Sequence, residues 1–133
     1  MSKTGMKILV VDDDPRYLEL LEFSLMGEGY DVVIVQDPQT VQELAIMQKP
    51  AVIVTDVSMP NMDGYAMAMG LKADQATASI PLIFVSARGQ EIDRLAGLSL
   101  GAVEYLTKPF CISELIARIR LVLKRTAAEG VLP

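Results

Sequence analysis

The sequence predicts an α/β domain: a doubly wound, five-stranded parallel sheet flanked by five helices. Short apolar runs rich in β-branched residues alternate with longer stretches of helical period, in strict strand-helix order and without an internal repeat. Runs such as Ile8-Leu9-Val10-Val11 and Val52-Ile53-Val54 are apolar on both faces, as parallel strands covered by helices on each side must be. At 133 residues the chain has the length of one domain with a real core, and too little for two.

The first strand is expected over Lys7 to Val11. An acidic run and Pro15 then open a helix whose Leu18, Leu21 and Leu25 recur at three- and four-residue spacing, and which stops near Gly27 to Gly29. Further strands are expected at Val32 to Val35, Ala51 to Thr55, Ile80 to Val85 and Val103 to Leu106. Weaker helical patterns run from about Gln39 to Met47, Tyr65 to Ala73 and Glu91 to Leu100. The closing helix carries Ile112, Leu115, Ile116, Ile119, Val122 and Leu123 on one stripe, with Arg118, Arg120 and Lys124 toward its C-terminal half. Right-handed crossovers turn five such pairs into a doubly wound sheet, for which the order 2-1-3-4-5 is one common solution.

Composition narrows the chemistry. The chain has no histidine, which excludes His-based triads, His-zinc sites and phosphohistidine carriers built from its own residues. Its single cysteine, Cys111, allows no internal disulfide and reads as a small buried thiol. Twelve Lys plus Arg against seventeen Asp plus Glu give a net charge of −5, the wrong sign for neutralising nucleic-acid phosphates, so no direct nucleic-acid partner is expected. No apolar stretch is long enough for a membrane helix and the first residues do not read as a signal peptide, so no membrane partner is expected and the expected location is cytoplasmic.

In doubly wound sheets, ligands bind beyond the carboxyl ends of the strands, where the winding direction reverses. The polar residues that follow the strands are therefore the candidates. The first strand runs into Asp12-Asp13-Asp14, the third into Asp56 and the fourth into Ser86, while Lys108-Pro109 follows the fifth. Carboxylates at Asp12, Asp13 and Asp56 repel one another unless a cation neutralises them. Oxygen donors without histidine or thiolate favour Mg²⁺, with Mn²⁺ as the alternative. Asp14, next to Pro15, is assigned the separate task of capping the first helix. The segment from Asp56 to Gly64 reads as a constrained loop, with Pro60 fixing one dihedral and Gly64 permitting conformations that other residues avoid.

With these pieces in order, the chain resembles the receiver domain of two-component response regulators, the CheY-like superfamily, over residues 6 to 125. The resemblance rests on four linked motifs: Ile8-Leu9-Val10-Val11-Asp12-Asp13-Asp14-Pro15, the run from Thr55-Asp56 to Asp63-Gly64, Pro81-Leu82-Ile83-Phe84-Val85-Ser86-Ala87, and the run from Gly101-Ala102 to Lys108-Pro109-Phe110. It implies the CheY-like (flavodoxin-like) sheet order 2-1-3-4-5. It further implies that Asp56 is the phospho-acceptor, taking its phosphoryl group from a sensor histidine kinase, a histidine phosphotransfer protein or a small molecule such as acetyl phosphate. Asp13, Asp56 and the backbone carbonyl of Ser58 would then bind Mg²⁺ directly, with Asp12 acting through a bound water. Lys108 would pair with Asp56 or the phosphoryl group, and the Ser86 hydroxyl would bond a phosphoryl oxygen. Tyr105 matches the aromatic switch position, expected to turn from exposed to buried as Ser86 moves. A cis Lys108-Pro109 bond is also implied.

Other positions are variable in such domains. Ser58 and Arg88 occupy the two places that line the route of attacking water and tune acyl-phosphate lifetime. Arg94, Glu104, Glu114 and Arg118 match charged positions that pair across a dimer formed by the fourth helix, fifth strand and fifth helix, although Val103 stands where an acid is common. A weak homodimer through that face is the expectation. A protein of this kind is not an enzyme acting on external substrates; it catalyses only its own phosphorylation and dephosphorylation. Two other functions fit parts of the pattern. A metal-dependent phosphohydrolase of similar topology usually carries an acid two positions after its nucleophile, where this chain has Ser58. A degenerate receiver, acting only as a binding module, would lack part of the acidic pair, acceptor, hydroxyl and lysine, all of which are present. The receiver is expected to span residues 1–125, and residues 126–133 read as a tail or linker.

Overall fold

Five strands hydrogen-bond into one parallel sheet: β1 (Lys7–Val11), β2 (Asp31–Val35), β3 (Val52–Asp56), β4 (Leu82–Ser86) and β5 (Ala102–Thr107), in the order β2-β1-β3-β4-β5. The computed structural model describes residues 5–59, 62–86, 99 and 102–128 of the chain. Helices α1 (Pro15–Gly27), α2 (Val41–Gln48) and α3 (Gly64–Ala73) and a C-terminal helix (Ile112–Ala128) complete the described architecture. The stretch Glu91 to Leu100, where a further helix is expected, lies outside the described residues apart from Ser99.

Side-chain alternation sorts the core into two layers. Leu9, Val11, Ile53, Leu82 and Phe84 point to one face and pack with Val41 and Ala45 of α2 and Met67, Ala68 and Leu71 of α3. Ile8, Val10, Val52, Val54, Ile83 and Val85 point to the other, against Leu18, Leu21 and Leu25 of α1 and Leu115, Ile119 and Val122 of the C-terminal helix. Burial on both faces is why β1, β3 and β4 read as unbroken apolar runs.

The winding reverses at β1. The chain leaves β1 through α1 to β2 on one side, then crosses by α2 to β3 on the other, so β1 pairs with both neighbours: Val10 lies opposite Ile34 and opposite Val54. The crevice beyond Val11 and Asp56 therefore has no strand crossing over it.

The ends of the helices follow local chemistry. The Asp14 carboxylate accepts the Arg16 backbone N–H at 3.0 Å with Pro15 in the first turn, which is the capping role expected for it. The second helical stretch begins differently from expectation: Pro38–Thr40 form a 3₁₀ turn capped by Asp37, and α2 starts only at Val41. The C-terminal helix runs to Ala128, with Thr126 buried and its hydroxyl donating to the Val122 and Leu123 carbonyls. Cys111, expected to be buried, is exposed. It precedes the C-terminal helix, where its carbonyl accepts the Glu114 and Leu115 N–H groups, and that entry point lies at the surface.

Candidate functional site

Two adjacent strands deliver the acidic residues to one point. Asp12 follows the last residue of β1, held by its own N–H donating to the Val35 carbonyl of β2 at 3.1 Å, and Asp56 is the last residue of β3, in register with Val85. Asp12 and Asp56 are only 2% and 8% exposed, whereas Asp13 is open to solvent. One oxygen from each of Asp12, Asp13 and Asp56 lies within 4.8 Å of the others. The lysine arrives from the next strand but one. Lys108 follows β5, its N–H donates to the Ser86 carbonyl at 2.7 Å, and its Nζ reaches Asp12 Oδ2 at 3.1 Å and Asp56 Oδ2 at 3.4 Å. The Lys108-Pro109 bond is cis.

The electrostatics show a site with more negative charge than its lysine offsets. Burial pushes the Asp12 carboxyl above its ordinary value, and the Asp14 N–H and the Lys108 ammonium only partly oppose this while Asp56 adds to it. For Lys108, burial acts downward, but the hydrogen bond and charge of Asp12 and then those of Asp56 outweigh it and hold the ammonium above its usual range. Three carboxylates converge where the lysine pairs with Asp12 and Asp56, and an all-oxygen donor set with one member open to solvent fits Mg²⁺.

The loop after β3 is anchored tightly. Residues Ser58–Met59 and Met62–Asp63 form a two-stranded antiparallel hairpin, and the Gly64 N–H closes on the Val57 carbonyl at 2.8 Å. Gly64 serves this loop through space rather than through dihedral freedom. A Cβ there would stand 2.7 Å from the Asp56 carbonyl oxygen and from Val57 Cα and O, and Gly64 is not among the positive-φ glycines. The expectation that Gly64 supplies an unusual backbone conformation is corrected accordingly.

Ser86 ends β4, buried, at the same sheet edge as Asp56 and Lys108. The Ser58 backbone lies in the hairpin two residues past Asp56, while its side chain, Arg88 and Arg94 lie outside the described residues. Tyr105, expected to turn between exposed and buried, is buried at 7% exposure, with its ring at right angles to Phe84 and 6.1 Å away, because Phe84 and Tyr105 are direct neighbours across β4 and β5. Glu104 and Arg118, expected to pair between two copies, meet within the chain at 2.9 Å; Glu114 is exposed in the first turn of the C-terminal helix. Sequence reasoning missed Tyr17, whose ring lies 4.6 Å beneath the Lys108 Nζ and makes a T-shaped contact with Phe110. The available signal was its place in the first turn of α1, next to the buried Leu18 and five residues after Asp12.

A family model described as the response regulator receiver domain matches residues 8–120. The chain belongs to the response-regulator receiver family. This receiver is 40% identical over 120 residues to the "DNA-binding dual master transcriptional regulator RpaA" of Synechocystis sp., covering 90% of this chain and 50% of that protein. It is 37% identical to the "Phosphate regulon transcriptional regulatory protein PhoB" of Pseudomonas aeruginosa, covering 92% and 53%. The receiver thus spans about half the length of these relatives. Among solved structures, a Francisella response regulator receiver domain superposes with a TM-score of 0.86 at 33% identity, covering 92% of this chain and 99% of that one. Receiver domains bind Mg²⁺ at the acidic cluster, the position occupied here by Asp12, Asp13 and Asp56. Among the described residues, no helix is long and apolar enough to cross a membrane.

Proposed function

We propose that this receiver takes a phosphoryl group onto Asp56 and uses it to change an output surface. The observation that carries the reading is the convergence of Asp12, Asp13, Asp56 and Lys108 at the ends of β1, β3 and β5. An Asp56 carboxylate oxygen attacks phosphorus in line, forming a P–O bond while the donor's bond to phosphorus breaks. With acetyl phosphate, acetate leaves as the anion; with a phosphohistidine of a sensor histidine kinase or phosphotransfer protein, the ring nitrogen keeps the electron pair and takes up a proton. Because such a transfer is mostly positioning and charge neutralisation, the chain needs no histidine of its own.

Asp13, Asp56 and the Ser58 carbonyl would hold Mg²⁺, with Asp12 bonding through a water. The bound ion supplies charge neutralisation of the phosphoryl oxygens. Lys108, already between Asp12 and Asp56, follows the developing charge as a mobile ammonium. Ser86 donates its hydroxyl to a phosphoryl oxygen, and Ser58 and Arg88 tune how fast water removes the group. The protein's catalysis is confined to its own phosphorylation and dephosphorylation.

The readout is the face formed by β5 and the C-terminal helix, together with the segment 91–100, for which the sequence leads one to expect a helix and which lies outside the described residues apart from Ser99. A weak homodimer there, using Arg94, Glu104, Glu114 and Arg118, requires Arg118 to exchange its partner within the chain, so it is expected to be salt-sensitive. Tyr105, buried in this structure, is the aromatic residue whose turn between exposed and buried would switch this surface as Ser86 moves. We read residues 1–125 as the receiver and 126–133 as its tail or linker, the C-terminal helix running on into that tail as far as Ala128, and place the protein in the cytoplasm.

Calorimetry with Mg²⁺ followed by beryllofluoride, a phosphoryl mimic, tests the reading. Saturable beryllofluoride binding to the native chain, lost in Asp56→Asn, is expected. A native chain that binds neither would be a degenerate receiver.

A further inference from the structure

Lysine 108 is held from a third side. Its Nζ reaches Asp12 and Asp56 at 3.1 and 3.4 Å, and it stands 4.6 Å from the centre of the Tyr17 ring. A lysine side chain has a flexible four-carbon stem, and two carboxylates on one side do not by themselves fix where its ammonium rests. An aromatic face attracts a cation without offering a hydrogen bond that fixes its direction. The same ring makes a T-shaped contact with Phe110, with centroids 6.3 Å apart, and Phe110 lies two residues beyond Lys108. Tyr17 thus touches both the ammonium and the loop that carries it, and it comes from the first turn of α1, directly after the acidic run.

We propose that Tyr17 is a positioning residue for phosphoryl transfer: its ring holds the Lys108 ammonium over the Asp12–Asp56 pair and lets it slide toward the phosphoryl group without losing a neighbour. This inference rests on the reading of Asp56 as acceptor. A hydrogen-bonding side chain at position 17 would compete with the phosphoryl group for the ammonium, and an aliphatic one would leave that side of it without a favourable contact. The ring does neither. Its hydroxyl plays no part in this role, so phenylalanine should substitute for it.

The test compares Tyr17→Phe, which keeps the ring, with Tyr17→Leu, which keeps apolar volume but removes it. The phosphorylation rate with acetyl phosphate and Mg²⁺ is measured together with the proton shift of the Lys108 ε-methylene, assigned through Lys108→Arg. A cation held over a ring shows an upfield ring-current shift in this signal. Tyr17→Leu is expected to lose the shift and to slow phosphorylation about tenfold, while Tyr17→Phe keeps the shift and stays within about twofold of the native rate. Native rates in Tyr17→Leu, or equal losses in both variants, would overturn the proposal. If Tyr17→Leu does not fold, Tyr17→Met serves in its place. A native chain that takes no label would count against the acceptor reading, and the Lys108 shift would then judge the Tyr17 contact alone: its presence in Tyr17→Leu would reject the contact.

Discussion

Strands β1 and β3 carry two opposed chemistries within one or two peptide bonds of each other. Ile8 to Val11 and Val52 to Val54 are at most 1% exposed and wholly apolar, yet Asp12 follows directly on Val11, and Asp56 ends β3 after the buried hydroxyl of Thr55. The apolar stretches are held from both faces by two layers of helix, so their position is set by packing that involves no charge. The acidic ends gain little from that packing and add repulsion. A rigid neutral segment thus carries a mutually repelling cluster to one point, and the fold tolerates the strain because the strands behind it are overdetermined.

If that division holds, damage to the segments and damage to their ends should separate cleanly. The largest effect is expected for Ile53→Ala, which empties a fully buried site between β1, β4 and the α2–α3 layer and should cost about 2 to 5 kcal/mol in urea unfolding. Asp56→Asn, three residues along the same strand, should leave that stability within about 1 kcal/mol while removing function. A comparable stability loss in both would break the comparison. Gly64→Ala tests the joint between the two regions. Its methyl would press on the Asp56 and Val57 backbone, so we expect a loss of about 1 to 3 kcal/mol and slower labelling of Asp56. Unchanged labelling would mean that the loop adapts without moving the acceptor.

The charged end should also respond to proton uptake with a defined sign. Asp12 has a folded pKa above its ordinary 3.8, so its ionised form is disfavoured in the fold, and the stability it contributes is present in acid and lost as pH rises through the folded value. Asp12→Asn is therefore expected to raise the melting temperature of the metal-free chain at pH 7, with the advantage shrinking toward acid. A lower melting temperature at pH 7 would reverse the sign assigned to this cluster. The smallest effect lies in alkali. Burial, and then the charges of Asp12 and Asp56, push the Tyr17 phenol up to about 12, and Lys108 is also raised. Both contribute stability below their unfolded values of about 10 and lose it as pH rises beyond them. Melting temperatures measured from pH 9 to 12 should fall, less steeply in Tyr17→Phe.

These two regions also differ in how far the sequence reveals them. The strands, their pairing with helices and the acidic ends were legible because the apolar runs of β1, β3 and β4 stop abruptly at a carboxylate or a hydroxyl, and that of β5 just before a Lys-Pro pair. The first strand agrees with its expected limits, and the others shift by only one or two residues. What was not legible depends on contacts between distant segments. Gly64 looks like any turn glycine until the backbone of Asp56 and Val57 is seen against it. Tyr105 carries no mark of being buried, since that follows from its register with Phe84. Cys111 is exposed because it opens a helix at the surface, and Glu104 finds Arg118 within its own chain because the C-terminal helix lies beside β5. Periodicity reports which face of an element is apolar; it does not report which residue of another element meets it.

Peptide mapping of the chain after incubation with acetyl phosphate and Mg²⁺ tests the central claim most directly. One phosphoryl group is expected, on the peptide that contains Asp56, released by hydroxylamine and absent from the Asp56→Asn variant. A phosphoryl group on any other residue, or continued labelling of Asp56→Asn, would contradict the account.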